Sequence, residues 1–261
     1  MHIGFCGAGN MALALARAIS RALSGVTVTA YDVDEERLAA FASTLERFAP
    51  AASNREVTEK SDATFLAVKP QVIDAVLGEI GDATGLVISI AAGIPLRRLE
   101  AALPGARLVR VMPNTPCLVG AMAAGYALGG RVTKNDAELV SQLLSSAGEA
   151  ILLDEAQLDA VTGLSGSGPA FVARLVEAFT EGGVKAGLDR ETARRLTLAT
   201  FAGTARLLDQ TGMSSEELVT MVSSPGGTTV AGRSILENSD VKQIIAGTIE
   251  RAAERSRELG S

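Results

Sequence analysis

The chain has no tryptophan, one histidine (His2) and two cysteines (Cys6 and Cys117) in 261 residues. A single histidine argues against a histidine-ligated zinc site or a histidine relay, and no metal is expected. Two cysteines without metal-ligand spacing form neither a disulfide framework nor a metal knot. They are expected to be small, reduced residues of a cytoplasmic protein. Basic charge is also scarce: the net charge is −6 and the isoelectric point about 5.0. No electrostatic footprint for nucleic acid or an anionic membrane is present. The longest apolar stretch, Gly85 to Leu96, is shorter than the roughly 20 residues that cross a bilayer. No cationic segment precedes an apolar run at the N-terminus, so a secretory signal is not expected. What the chain has instead is apolar residues (47%) and 27 glycines. The first suffices for a buried core at a length that suits two domains. The second cluster in loops rich in Ser and Thr, where backbone amides and hydroxyls would do the binding.

The first half alternates between strand and helix patterns. His2–Cys6, Val26–Tyr31, Thr64–Val68, Leu86–Ile90 and Leu108–Met112 read as strands, with Gly120–Leu128 and Glu149–Leu153 as further ones. Helical spacing covers Met11–Leu23, Glu35–Phe48, Gln71–Ile80 and Asp136–Ser146. Such alternation predicts an α/β fold with an N-terminal, doubly wound Rossmann sheet, whose ligands sit beyond the carboxyl ends of the strands. After about residue 155 the strand signal vanishes. Helices are expected over Phe171–Ala186, from the cap Asp189 to Leu208, after the capping box Ser214–Glu217, and over Thr229–Glu237 and Asp240–Leu259. The chain therefore divides into a dinucleotide-binding domain, 1–155, and an all-helical substrate-binding and dimerisation domain, 156–261.

Gly7-Ala8-Gly9-Asn10-Met11-Ala12 follows a strand and opens a helix, in the G-x-G-x-x-G/A pattern. Gly7 permits the tight turn, Gly9 lets the backbone approach a pyrophosphate, and Ala12 lets helix and strand pack closely. Any tight turn favours glycine, but this one lies at the extreme N-terminus inside an alternating pattern, which selects dinucleotide binding. Asp32 ends the second strand. A carboxylate there bonds the ribose hydroxyls and repels a 2′-phosphate, so NADH is expected over NADPH. Asp32 also stands beside a helix start that Asp34 and Glu35 share, where capping is a second role.

Two later loops carry chemistry. In Ser223-Ser224-Pro225-Gly226-Gly227-Thr228-Thr229 the proline stops a helix, the glycines expose amides, and the threonines begin the next helix. That suits a carboxylate, or equally a plain turn between helices. In Ser165-Gly166-Ser167-Gly168-Pro169 the proline fits a first helical turn and Ser167 an N-cap. Ser167 has no histidine base, so no hydrolase triad is supported. Lys69 stands before a proline with no visible partner, which fits a cofactor-edge cation better than a Schiff base.

These blocks, with Ala67-Val68-Lys69-Pro70, Ser89-Ile90-Ala91-Ala92-Gly93, Met112-Pro113-Asn114-Thr115-Pro116 and Gly163-Leu164-Ser165-Gly166-Ser167-Gly168-Pro169-Ala170, resemble the pyrroline-5-carboxylate reductase family over essentially the whole chain. The resemblance implies hydride transfer from NADH or NADPH to a cyclic imine, giving proline. It also implies a homodimer or larger homo-oligomer whose helical domains interlock, each site completed by both subunits. By resemblance, Cys6, Gly7, Ala8, Gly9, Asn10 and Met11 line the pyrophosphate, and Asn54 contacts the adenosine ribose. Ala67, Val68, Lys69 and Pro70, then Ile90, Ala91 and Ala92, line the nicotinamide side, and Asn114 meets its end. Ser223, Ser224, Gly227, Thr228 and Thr229 hold the substrate carboxylate, Glu155 lies near the ring, and Thr229 is the candidate catalytic residue, bonding the ring nitrogen. Asp32 departs from the small or basic residue of NADP-using relatives, and Met221 from an Asn that some relatives place near the cofactor. A 3-hydroxyacid dehydrogenase of the same plan needs a Lys at the interdomain helix, where none occurs before Lys185. The six-membered imine homologue would suit the same carboxylate loop.

Overall fold

The computed structural model describes residues 1–260. Ile3–Cys6 are wholly buried, which makes β1 (His2–Cys6) a central strand covered on both faces. It pairs in parallel with β2 (Thr27–Tyr31) on one side and β4 (Ala63–Leu66) on the other. The sheet continues through β3 (Phe48–Pro50), β5 (Leu86–Ser89), β6 (Arg107–Met112), β7 (Met122–Leu128) and β8 (Gly148–Leu152). Its order is β3-β2-β1-β4-β5-β6-β7-β8. All neighbours are parallel except β6 and β7. The order reverses direction between β1 and β4, which places the switch point of a doubly wound sheet there. Phe5 of β1 stacks on Phe65 of β4 with centroids 5.0 Å apart, and Phe41 meets Phe5 edge-on at 5.9 Å. Three rings thus fix the register of the central strands against the first helices.

The helices of this layer are α1 (Asn10–Ala22), α2 (Glu35–Thr44), α3 (Asn54–Lys60), α4 (Ile73–Glu79), α5 (Leu96–Ala102), α6 (Lys134–Ser145) and α7 (Leu158–Val161). The helix expected over Glu35–Phe48 ends at Thr44, and Phe48 instead enters edge strand β3. Phe48 packs its ring 5.6 Å from Phe41, so burial of the aromatic outweighs helical continuation. Pro50 can sit there because an edge strand tolerates a missing donor. Helices α3 and α5 were not expected; each has seven residues, too few for a periodic signal. Ser53 caps α3 by accepting from the Glu56 N–H.

The chain forms two compact units. The first spans Met1–Ser167 and takes back the chain from Glu250 onward; the second is Gly168–Ile249. Within the first, Ser256 donates to Asp159 Oδ1 at 2.6 Å, and Arg97 to the Gly260 carbonyl. The second unit holds α8 (Gly168–Lys185), α9 (Arg190–Thr211), α10 (Ser215–Met221) and α11 (Thr228–Glu237), together with most of the first half of α12 (Val241–Gly260). Helices α8 and α9 meet where Gly183 faces Ala193 and Phe179 packs edge-on against Phe201, 5.0 Å away. Asp189 caps α9 and Ser214 forms a capping box with Glu217, as the sequence indicates. Burial in this unit is slight: of its residues only Thr180, Ala193 and Thr197 are buried, while Phe179, Leu196, Leu198, Ile235 and Ile244 are exposed.

Candidate active site

Gly7 takes φ +96°, and a Cβ on it would lie 2.7 Å from the Ala67 carbonyl oxygen. Only glycine fits that turn. Gly9 is different: its φ is −70°, and nothing lies within 4 Å of where its Cβ would stand. It is also the N-cap of α1, with no side-chain cap on the helix amides. Open space in front of unpaired N–H groups at a positive helix end fits a dinucleotide pyrophosphate. Ala8 is buried, whereas Asn10 and Met11 begin α1 and are exposed and half-buried.

The neighbouring strand ends converge on this turn. The Gly7 N–H donates to the Tyr31 carbonyl, that of Ala67 to Cys6 and that of Ile90 to Leu66. The ladders thus run one residue past β1, β4 and β5, bringing Cys6–Met11, Ala67–Pro70 and Ile90–Ala92 to one rim. Lys69 and Ala92 are exposed there; Ala91 is buried. Asp32 stands at the end of β2, with its side chain only 8% exposed. Its Oδ2 accepts from the Ala8 N–H at 2.8 Å and its Oδ1 from the Asp34 N–H at 3.0 Å. Arg37 Nη1 lies 3.4 Å from Asp32, and its Nε 3.1 Å from Asp34. Asp34, not Asp32, caps α2. Asp32 therefore organises the glycine loop.

Other residues named from the sequence have firm structural partners. Asn54 is buried and donates from its backbone N–H and its Nδ2 to the two carboxylate oxygens of Glu79, at 2.9 and 2.7 Å. Asn114 is buried beyond β6, accepts from the Ala123 N–H at 2.9 Å and donates to the Ser165 carbonyl at 3.1 Å. Ser165 belongs to a π-helical turn, Thr162–Gly166, that the sequence reading did not include. Gly166 lies against the Met112 side chain, and Ser167 has helical angles with its amide on the Thr162 carbonyl, so it is not an extended N-cap. π-turns recur at functional sites, and no local pattern announces them. Glu155 Oε1 accepts from the Leu96 N–H at 2.7 Å and from Arg110 at 3.0 Å, which ties the start of α5 to β6. Both thiols are buried. Desolvation, then the Glu79 charge, pushes Cys6 up to about 12, and desolvation pushes Cys117 up to about 11. Neither is a nucleophile at neutral pH.

In the second unit Ser223–Gly227 form a loop that leads into α11, whose first two residues are Thr228 and Thr229. Gly226 takes φ +70° and Gly227 is the N-cap of α11, again without a side-chain cap. A Cβ on Gly227 would lie 2.4 Å from Ser224 Oγ. The loop therefore presents the first amides of α11 with no protein acceptor of their own.

A doubly wound sheet with its glycine turn at the switch point, followed by a helical unit, defines a dinucleotide-dependent oxidoreductase. Residues 2–93 match the model described as NADP oxidoreductase coenzyme F420-dependent, and residues 155–259 match pyrroline-5-carboxylate reductase dimerisation. The chain is 40% identical to the pyrroline-5-carboxylate reductase of Methanosarcina acetivorans over 99% of its own length and 97% of that protein's. The structure of the Coxiella burnetii enzyme superposes with a TM-score of 0.93 at 32% identity, over 99% of this chain and 98% of that one. That of the Plasmodium falciparum enzyme, with NADP bound, gives 0.87 at 32% identity, over 100% of this chain and 98% of that one. The chain belongs to the pyrroline-5-carboxylate reductase family. Among the described residues no helix is long and apolar enough to cross a membrane, and no acidic, His or Cys cluster could hold a metal.

Proposed function

We propose that this protein reduces 1-pyrroline-5-carboxylate to L-proline with NAD(P)H. The observation that carries the reading is the pair of uncapped helix starts, at Gly9 and Gly227, in a chain similar over nearly its whole length to a reductase of that name. One suits a pyrophosphate and the other a carboxylate. NAD(P)H, when bound, supplies the hydride, and the protein supplies orientation and electrostatics. On this reading Cys6–Met11 hold the pyrophosphate through backbone amides, Asn54 contacts the adenosine ribose, and Ala67–Pro70, Ile90–Ala92 and Asn114 border the nicotinamide. Ser223, Ser224, Gly227, Thr228 and Thr229 hold the substrate carboxylate, with Glu155 near the ring. Thr229 hydrogen-bonds the ring nitrogen, whose protonated iminium form is the better hydride acceptor. Binding the carboxylate orients the ring, and such orientation is worth on the order of 7–11 kcal/mol at best.

The finer assignments rest on single features. NADH is preferred because Asp32 places a carboxylate at the end of β2, where a 2′-phosphate would meet it. The chain divides by function into a dinucleotide-binding part, 1–155, and a helical part, 156–261, that binds substrate and pairs two copies. Pairing is supported by the uncovered apolar side chains of α8–α12 and the dimerisation match. Two buried, unpaired thiols suit the reducing cytoplasm. The test uses NADH deuterated at the transferred position. Deuterium should appear at ring carbon 5 of proline; proline carrying none, or no proline, defeats the proposal. Thr229→Ala should lower turnover far more than coenzyme affinity, and unchanged turnover would remove Thr229 from the mechanism.

A further inference from the structure

Glu79 gives both of its carboxylate oxygens to one residue. Oε1 accepts from the Asn54 backbone N–H at 2.9 Å and Oε2 from Asn54 Nδ2 at 2.7 Å. Glu79 is also the last residue of α4, where an acid opposes the negative end of the helix dipole, so stabilising its own helix does not explain it. The bond to the Asn54 N–H is one that any anion at the start of α3 would make. The bond to Nδ2 is different, because it fixes a side chain. A carboxylate only accepts, so the amide must turn its NH2 group to Glu79 and Oδ1 away from it. Among the described residues Oδ1 accepts from no protein group, and it is not fully buried, so it reaches solvent although Asn54 as a whole is 6% exposed. The first turn of α3 lies at the carboxyl ends of β1 and β2. The Cys6 thiol donates to the Asn54 carbonyl at 3.9 Å, and the Ala51 N–H to the Ala30 carbonyl at 2.9 Å. Gly7 and Asp32 are the next residues after those two strands.

We propose that Glu79 is a positioning residue that helps to set which coenzyme this site takes. By holding the NH2 group of Asn54 it presents Oδ1 to the adenosine ribose as a fixed acceptor. A ribose 2′-hydroxyl donates to that oxygen, whereas a 2′-phosphate, anionic and rich in acceptors, meets it oxygen to oxygen. This holds on the reading that Asn54 contacts the adenosine ribose. It adds a specificity determinant outside the glycine turn and separate from Asp32.

The test is fluorescence titration with NADH and with NADPH of wild type, Glu79→Gln, Asn54→Ala and the double variant, with a thermal melt of each. Gln offers a donor as well as an acceptor, so the Asn54 amide is free to turn its NH2 group outward. Glu79→Gln should therefore shift the ratio of the two Kd values toward NADPH by roughly tenfold, the size of one hydrogen bond. Asn54→Ala removes the acceptor and should shift the ratio in the same direction. In the double variant Glu79→Gln should add nothing, because it acts through Asn54. A merely structural role would lower the melting temperature and both affinities together; a wild-type ratio in Glu79→Gln therefore overturns the inference. So does a shift that persists in full without Asn54, which would make Glu79 a charge acting through space. Wild-type affinity for both coenzymes in Asn54→Ala would instead remove Asn54 from the ribose, and the reading and the inference would fall together. Should Glu79→Gln not fold, the same outcomes are read from Glu79→Asp, which keeps the charge but is one methylene too short to hold both groups.

Discussion

Gly9→Ala isolates the coenzyme-binding role of the glycine turn from its structural role. Gly9 has φ −70° and ψ 175°, which alanine adopts freely, and its Cβ would meet no atom within 4 Å. Restricting the unfolded chain contributes about 0.4–1 kcal/mol of stability. Alanine is a poorer N-cap than glycine, at a cost of about 0.5–1 kcal/mol. The two nearly cancel, so the melting temperature should move by no more than a few degrees. Coenzyme binding should weaken, because the new methyl fills the space in front of the α1 amides. Losing one or two hydrogen bonds to an anion costs about 1.5–3 kcal/mol each, so NADH affinity should fall by roughly tenfold to a hundredfold or more. Gly7→Ala gives the opposite pattern: at φ +96°, with Ala67 O 2.7 Å away, it should lower stability itself. The assay is NADH fluorescence titration beside a thermal melt of each variant. Wild-type NADH affinity in Gly9→Ala would refute the reasoning.

Asp32→Ser should shift the KM ratio toward NADPH on the order of tenfold by removing the charge that faces a 2′-phosphate; an unchanged ratio would leave Asp32 as organiser of the Ala8 amide alone. Asn114→Ala strips the Ala123 N–H and the Ser165 carbonyl of their partner, so it should cost about 1–3 kcal/mol and lower the melting temperature by several degrees. A melt matching wild type would contradict this. Cys6 and Cys117 should resist a thiol reagent at pH 8 in the native protein and react once it unfolds; fast native labelling would show that neither is shielded. Their folded pKa values, about 12 and about 11, lie above the ordinary 9.0. The unfolded chain therefore loses these protons first, and stability that is level below pH 9 should decline as pH rises toward 11–12. A denaturation series in that window that shows no decline would oppose the assignment.

The central strands and the glycine turn were legible because their causes are local. Ile3–Cys6 are apolar in succession because both faces are covered, and Gly7 is glycine because its own φ demands it. The loop at Ser223–Thr229 was legible for the same reason: Gly226 needs a left-handed backbone and Gly227 caps α11. Short elements were not. Helices α3 and α5 are too brief to show a period, and β3 exists because Phe48 packs on Phe41 from an edge strand. Long-range pairings were hidden for a different reason. Asn114 reaches Ser165 across 51 positions and Glu155 reaches Leu96 across 59, separations that carry no periodic signature. The π-turn at Thr162–Gly166 follows from how that segment packs on Met112 and Asn114 rather than from its own composition.

The most direct test of the central claim is the initial rate of coenzyme oxidation by the purified protein with 1-pyrroline-5-carboxylate, measured with NADH and with NADPH and paired with chromatographic detection of proline. Rapid turnover, one proline formed per coenzyme oxidised and a lower KM for NADH are the predicted result. Coenzyme binding without turnover of this imine by either coenzyme would contradict the account.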